Sequence, residues 1–438
     1  MQLLSRLATF PGGTHPPEYK HQTASKKSTR IPLPEKLSIS LHQHTGAAAK
    51  PLIEKGDEVL RGQMIAEAQG DISASLHAPA SGTVNKIGKQ PLPSGTTGDC
   101  IIIEVDQANE EEKFYSPFQA VDSTSSEQIY RRVREAGVVG LGGGAFPSHV
   151  KLSPPEETDI DTVILNGCEC ESFLTSDHRT MLERPKAVVN GLRLIMKAVG
   201  AEKGIIGVEN NKPDAVEELN SSLPENENLT VQTVKTKYPQ GVENMLIYAL
   251  TGRKMGASLL PADVGCVVNN VSTAAAISDA VLRGKPLIER IITVAGPAVK
   301  SAANYTVPIG TPFEHLFEHC GLIDETKLIL DGGAMMGTPQ SDLSVPTVKA
   351  TGGIVALDQQ HVNEHQEHPC IRCARCVSKC PQRLVPTRLA RLVKARRYDE
   401  AKDLHVQNCL ECGVCSYVCP SNIPLVHWLR VGKQKVCP

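Results

Sequence analysis

Two cysteine runs near the carboxyl end, "CIRCARCVSKCP" from Cys370 and "CLECGVCSYVCP" from Cys409, share the spacing C-x2-C-x2-C-x3-C-P. Thiolates at that spacing turn their sulfurs toward a common centre, and three of them wrap one cuboidal iron–sulfur cluster. The fourth, followed by proline, leaves the loop and ligates the other cluster. Cys370, Cys373, Cys376 and Cys419 are thereby assigned to one [4Fe-4S] centre, and Cys409, Cys412, Cys415 and Cys380 to a second. A pair of four-cysteine zinc sites is the competing reading, but zinc knuckles present two C-x2-C pairs, not three cysteines in step followed by C-x3-C-P. Of the 14 cysteines only Cys100, Cys168, Cys170, Cys266 and Cys320 precede residue 370, and Cys437 follows no motif. Such crowding indicates metal ligation in a reducing compartment rather than disulfide bridges. Two neighbouring clusters pass single electrons, so a group upstream must supply them.

A second chemistry-bearing stretch is "GVVGLGGGAFPSHVK", Gly137 to Lys151, in which Gly140–Ala145 satisfies G-x-G-x-x-[GA]. A dinucleotide turn of that pattern follows a strand and opens a helix. Here the preceding "SSEQIYRRVREAGVV" has helical periodicity, with Ser125 or Ser126 as N-cap, and Pro147 bars a helix from running through the loop. The glycines therefore predict a loop where backbone approaches a flat or anionic ligand, with Lys151 supplying charge; a glycine-rich turn packed on a neighbouring helix is the bland alternative. Three further segments place polar groups at strand ends, where ligands of α/β sheets sit. "DTVILNGCECESFLTSDHR" reads as a buried parallel strand, Thr162 to Leu165, ending at Asn166 with Glu169 and Glu171 beyond. "TVKTKYPQGVENMLIYALTG" offers a Tyr238–Pro239 turn, Gly241 and Glu243, then a helix. "VGCVVNNVSTAAAISDAV" reads as a strand, Gly265 to Val268, ending in Asn269–Asn270 before a helix with Thr273 in its first turn.

The elements that must position these groups fall into four units. Residues 1–120 contain "PLIEKGDEVLRGQMIAEAQ" and "SLHAPASGTVNKIG", which look like the halves of a biotinyl/lipoyl-type barrel-sandwich. No lysine stands at the hairpin tip, so a swinging arm is not expected and His77 reads as a turn residue. Residues 121–285 form a Rossmann-like α/β unit carrying the glycine loop. Residues 286–350 resemble a soluble-ligand-binding β-grasp module, strand, turn, strand and a helix from Pro312; His315 and His319 on that helix read as surface and core rather than zinc ligands. "GGIVALDQQHVNEHQEHPC" reads as a polar link, its His361, His365 and His368 as solvated. Residues 358–438 form an all-α double-cluster module: Pro386 opens a helical stretch in which Leu389, Leu392, Val393, Ala395 and Leu404 share a face while basic residues cover the other. The fold class is thus multidomain α/β with an N-terminal β unit and a C-terminal all-α ferredoxin unit.

A chain of 438 residues suits several domains, and its 30 prolines, 35 glycines and 40% apolar content suit a loop-rich globular protein. Net charge of −2 and pI near 6.7 give no single-sign field to recruit nucleic acid. No apolar run reaches the eighteen residues of a spanning helix, and the opening residues lack a cleavable signal pattern, so a cytoplasmic location is expected.

"GLGGGAFPSHVK", "NGCECESFLTSDHR", "KYPQGVEN" and "VVNNVST" resemble, in that order, the flavin- and NADH-binding segments of the FMN-bearing subunit of respiratory complex I. The opening "TFPGGTHPPEYK" and both cysteine motifs resemble the RnfC family of the Rnf complexes, membrane-associated ferredoxin:NAD oxidoreductases also called electron transport complexes. The resemblance covers essentially the whole chain. It implies non-covalent FMN against Gly140, Gly142, Gly143 and Lys151, with Asn166, Tyr238, Gly241, Asn269 and Asn270 around it. Phe146, Glu171 and Glu243 would face NAD(H), the substrate; no single catalytic residue is assigned. The implied partners are a ferredoxin-like iron–sulfur subunit and integral membrane subunits, with this chain peripheral on the cytoplasmic face of the bacterial inner membrane. The chain departs from the complex I pattern at Cys168, where an acid is usual, at Ser172–Phe173, where Pro-Gly stands, and at Val242, where a second glutamate stands.

NADH gives up a hydride and a cluster takes one electron, so a flavin between them is chemically required. The implied activity is electron input to an ion-translocating complex, hydride to FMN and then single electrons through two clusters. A soluble cobalamin-type reductase shares this chemistry but lacks the leading barrel-sandwich. A non-enzymatic electron-wiring adaptor that has lost nucleotide binding is the reading of a different class.

Overall fold

The computed structural model describes residues 7–155, 157–256, 259–362, 364 and 366–437; of the histidines discussed above, His365 lies outside them. In the N-terminal β unit, strands Lys36–Ser40, Thr97–Val105, Gly82–Pro91 and Glu58–Val59 form one antiparallel sheet, in that order. Lys50–Pro51, Met64–Glu67 and Leu76–His77 form a second. Leu37 and Ile39 pair directly with Ile103 and Ile101, and these four fill the space between the sheets with Val59, Ile65, Leu76 and Val84. Period-two burial on paired strands fixes this register, because a slip by one residue would turn the isoleucines to water. His77 lies in a strand rather than a turn: it is buried against the Tyr115 hydroxyl at 2.9 Å, and burial lowers its pKa to about 3, so it stays neutral.

Residues 8–30 do not join that unit. Ala8 bridges Val234, Thr14 bridges Tyr238, and Thr29–Arg30 forms an edge strand paired in parallel with the distant Tyr305–Thr306. A segment whose only elements are the short 3-10 turn Lys20–Gln22 and the two-residue strand Thr29–Arg30 must borrow partners for its backbone groups, and it finds them along the other units.

The second unit centres on a four-stranded, all-parallel sheet, in the order Leu229–Val234, Lys203–Glu209, Thr162–Gly167 and Cys266–Asn270. Val163 and Leu165 point to one face, against Val188, Leu192 and Ile195 of helix Pro185–Val199 and Ala274 of helix Val271–Leu282. Ile164 and Val268 point to the other face, under Leu246 and Ile247 of helix Glu243–Thr251. Burial on both faces explains why these strands read as unbroken apolar runs. The register sets Asn270 beside Asn166 and Gly207 on the other side of Asn166, so the polar strand ends share one edge.

The third sheet has the order Thr29–Arg30, Ala303–Pro308, Glu289–Ala295, Gly353–Asp358, Thr326–Asp331 and Thr338–Gln340. Gly353–Asp358 is therefore an interior strand, and the expected polar link begins only after it. Its "IVAL" is too short a run to announce itself, yet Ile354, Val355 and Ala356 are fully buried. His315 Nε2 contacts the Pro32 carbonyl at 2.9 Å and His319 packs edge-on to Tyr305, so the two histidines serve different neighbours. His361 Nδ1 contacts Asp358 Oδ1 at 2.7 Å.

In the C-terminal unit the expected single helical stretch divides. Helix Pro386–Lys394 ends at Ala395, Arg396 takes a left-handed φ of 56°, and helix Tyr398–Asp403 turns back. The break lets Leu389, Val393, Ala401 and Val406 all pack on Leu425 and Leu429 of helix Leu425–Val436, which one straight helix would not do.

Lys349 locks three units together. Its buried Nζ donates to the carbonyls of Ser75 at 2.9 Å and Gly137 at 2.6 Å, and its own carbonyl accepts from Arg290. Burial lowers its pKa from 10.5 to about 7. The unfolded chain then binds the extra proton between about pH 7 and 10.5, so stability rises with pH across that window. In urea titrations Lys349→Met is expected to lose part of that rise between pH 7 and 9. At pH 9 it should also be less stable by about 1–3 kcal/mol, because two buried carbonyls lose their donor.

Candidate functional site

Helix Ser126–Glu135 delivers the chain to the glycine loop and starts on a capping box, with Ser125 Oγ accepting from the Gln128 amide and Gln128 Oε1 from the Ser125 amide. A bridge between Val139 and Pro147 closes the loop at its neck. Inside it the Gly140 amide donates to the Phe146 carbonyl at 2.8 Å and the Ala145 amide to the Gly140 carbonyl at 3.1 Å. Leu141 is gripped from both sides: its amide donates to Thr273 Oγ1 at 2.8 Å and its carbonyl accepts from Arg290 at 2.9 Å. The loop is thus rigid at its base, while Gly142, Gly143 and Gly144 stand exposed, their amides donating to no acceptor among the described residues. Gly143 has φ of +99°, a conformation that favours glycine, and a Cβ at Gly143 or Gly144 would meet nothing within 4 Å. Three consecutive free amides over open space form a cradle for an anionic or flat group.

The strand ends meet this cradle. Asn270 caps helix Val271–Leu282 with its Oδ1, donates through Nδ2 to Asp177 Oδ2 at 2.6 Å, and lies beside Gly142. Burial, with Glu169 nearby, raises Asp177 to a pKa of about 6, while Ser272 and Asn270 hold its charged form. Lys151 Nζ reaches across to Glu243 Oε1 at 2.8 Å and to the Val268 carbonyl at 3.0 Å. Asn166 donates to the Gly241 carbonyl at 2.7 Å and accepts from the Cys168 amide. Asn269 Nδ2, Asn244 Oδ1 and Gln240 Nε2 are buried without a protein partner. Such groups cost free energy unless a ligand or water meets them, and Asn269 Nδ2 lies on the strand end next to Asn270, so unpaired polar groups and the open glycine amides fit a bound polar ligand such as a flavin.

Two of the expected residues turn elsewhere. Glu171 accepts from the Met335 amide at 3.0 Å and lies against Gly333, where any Cβ would collide with its carboxylate. Burial raises its pKa. Tyr238, 1% exposed, directs its hydroxyl to the Cys412 carbonyl at 2.8 Å and packs with Cys412 and Val414. Glu169 caps helix Ser176–Glu183, accepting from the amides of Asp177 and His178. Arg290, Asp177 and Met335 escaped the sequence reading, since each acts on residues more than 90 positions away.

The cysteines sort into two sets. Cys380, Cys409, Cys412 and Cys415 ring one apolar hollow with Pro381, Leu384, Val414 and Leu429. Burial first, and neighbouring thiols second or third, push Cys412 up to about 11 and Cys415 up to about 12. Thiols crowded this way are held as thiolates only by bound metal. Cys376 feels Cys419 and Cys370, while Cys370 and Cys373 face solvent. Among the described residues no three His, Cys, Asp or Glu side chains converge on one metal ion.

Family models match the chain in four places: an RnfC barrel-sandwich hybrid domain over residues 8–108, a Nuo51 FMN-binding domain over 133–279, an SLBB domain over 291–339 and a 4Fe-4S dicluster domain over 369–423. Among curated relatives, the RnfC-type component of the Na(+)-translocating ferredoxin:NAD(+) oxidoreductase complex of Acetobacterium woodii is 39% identical over 98% of this chain and 97% of its own length. The chain belongs to the RnfC family of ion-translocating ferredoxin:NAD(+) oxidoreductase complexes. The corresponding component of the proton-translocating complex of Clostridium ljungdahlii is 44% identical over 91% of this chain and 87% of that protein. Its counterpart in the ion-translocating oxidoreductase complex of Rhodobacter capsulatus is 40% identical over 97% and 82%. A solved NAD+-reducing [NiFe]-hydrogenase in the H2-reduced state aligns at TM-score 0.51 and 18% identity over 73% of this chain and 63% of that one, a likeness of fold alone. With the dicluster match, the cysteine motifs of this RnfC-family protein are iron–sulfur motifs, and the zinc reading falls. No helix among the described residues is long and apolar enough to cross a membrane.

Proposed function

We propose that this RnfC-family protein is the electron-input element of a membrane-bound, ion-translocating ferredoxin:NAD oxidoreductase, oxidising NADH or reducing NAD(+) according to driving force. It would sit peripherally on the cytoplasmic face of the bacterial inner membrane, beside a ferredoxin-like iron–sulfur subunit and integral membrane subunits. The carrying observation is the pinned loop whose Gly142–Gly144 amides face open space at the edge shared by Asn166, Asn269 and Asn270. FMN held there supplies the exchange between a hydride pair and single electrons, which the two [4Fe-4S] centres carry one at a time.

The protein's part is placement. Arg290 and Thr273 hold Leu141 so that the cradle needs no rearrangement to receive a ligand, and Lys151 presents a cation at its rim. Cys409, Cys412 and Cys415 are buried and Cys380 half-buried, with Tyr238 of the flavin unit bonded to the Cys412 carbonyl, whereas Cys370 and Cys373 face outward. That polarity supports an inner cluster nearest the flavin and an outer one nearest a partner. From Cys370 to Arg397 the chain carries nine basic residues and no acidic one, so the outer face suits an acidic redox protein.

Anaerobic addition of NADH to the FMN-loaded chain is expected to bleach the flavin band and then the cluster bands. Engagement of Glu171 by Met335, together with Val242 and Cys168, favours the wiring-adaptor reading as the second choice. Flavin that dithionite bleaches and NADH does not would decide for it.

A further inference from the structure

We propose that Tyr238 is a positioning residue for the inner cluster, setting that cluster's potential from the flavin unit. The inference rests on the reading that Cys380, Cys409, Cys412 and Cys415 hold a [4Fe-4S] centre.

Tyr238 is tied to two of those four ligands by independent routes. Its hydroxyl donates to the Cys412 carbonyl at 2.8 Å. Its backbone exchanges both hydrogen bonds with Thr14, each at 2.8 Å, and the adjacent Gly13 amide donates to the Lys379 carbonyl at 2.8 Å, one residue before Cys380. Gly12 lies so close that a Cβ there would stand 3.1 Å from the Cys380 carbonyl oxygen, and only a bare backbone threads this gap. A third contact closes the clamp: Glu171, within 3.4 Å of the Tyr238 hydroxyl, holds the Met335 amide, and the Met335 carbonyl packs on Gly413. Segments from the chain's start, middle and third sheet thus converge on the loops of one cluster. Among the described residues no hydrogen bond joins Cys370, Cys373 or Cys376 to any of these segments.

The hydroxyl adds a fixed dipole to that clamp. Its hydrogen, the positive end, points at a carbonyl on the cluster-bearing loop. Hydrogen bonds and burial around a cluster are among the levers that set its potential. A positive dipole end favours the form with one more electron, so removing it should make the inner cluster harder to reduce. Tyr238→Phe deletes one oxygen and leaves the ring packed on Val414.

The test is an anaerobic redox titration of the full reconstituted chain, followed by electron paramagnetic resonance, on wild type, Tyr238→Phe and Cys412→Ser. The serine variant marks which signal belongs to the inner cluster. Tyr238→Phe is expected to retain wild-type iron and flavin content, to shift the marked cluster to lower potential and to leave the other unmoved. Unchanged potentials, a shift confined to the other cluster, or iron loss in Tyr238→Phe would each overturn the proposal, the last by making Tyr238 a structural residue only. Absence of iron from reconstituted wild type would instead refute the underlying cluster reading.

Discussion

Cys412→Ala is expected to cut the iron content of reconstituted protein from about eight atoms per chain to about four, with sulfide falling in parallel. The reason lies in the hollow that Cys412 shares with Cys380, Cys409 and Cys415, whose other lining side chains are apolar except for Gln382. No neighbouring carboxylate, imidazole or hydroxyl lines that hollow to stand in for the lost thiolate, so the remaining three cysteines face an open coordination position. The Cys412 carbonyl, and with it the contact to Tyr238, survives the substitution because it belongs to the backbone. The flavin unit should therefore fold and retain its flavin, and NADH should still bleach it, while the outer cluster stays oxidised. Cys373→Ala is expected to produce the same iron loss from the exposed side. There the inner cluster should still become reduced. Finding about two zinc atoms per chain in place of iron would defeat both expectations.

Gly144→Val should weaken FMN binding at least about tenfold, or ~1.4 kcal/mol, with the unfolding of the flavin-free chain within about 0.5 kcal/mol of wild type. The separation follows from geometry. A Cβ on Gly144 would meet no protein atom within 4 Å, and its φ lies outside the left-handed region, so the apo chain has no reason to object. Any loss of affinity must come from a ligand occupying the space the valine enters. Gly143→Val makes the useful contrast. Its φ of +99° adds backbone strain on the order of 1–2 kcal/mol to the same obstruction, so stability and affinity should fall together. Isothermal titration with FMN alongside thermal unfolding of the apo protein reads both quantities. Wild-type affinity in Gly144→Val would mean that the flavin is seated elsewhere.

The features legible without a structure share a short range. Each cysteine motif depends on sulfurs three or four positions apart, and a capping box on residues three apart, so both are written locally. The strand at Thr162 declared itself because both of its faces are buried, and the glycine loop because Pro147 and the preceding helix contradict a dinucleotide turn. The helix break at Arg396 was hidden, since arginine carries no mark of a left-handed turn and the apolar spacing on either side suits one continuous helix. The strand Gly353–Asp358 was hidden by the polar run that follows it.

From residue types and spacing alone came the two sets of cluster ligands, the glycine cradle and the strand ends that carry polar groups. Tertiary structure decided which partners those groups keep. It gave Leu141 to Arg290, Glu171 to Met335 and Tyr238 to Cys412, pairs separated by 149, 164 and 174 positions. It also buried Cys409, Cys412 and Cys415 and left Cys370 and Cys373 at the surface. Capping is satisfied within a few residues of chain, and so is the spacing of three of the four cysteines of each motif, so local sequence encodes them. A buried donor must instead find whatever acceptor the packed units bring to it, and that choice exists only once the chain has closed on itself.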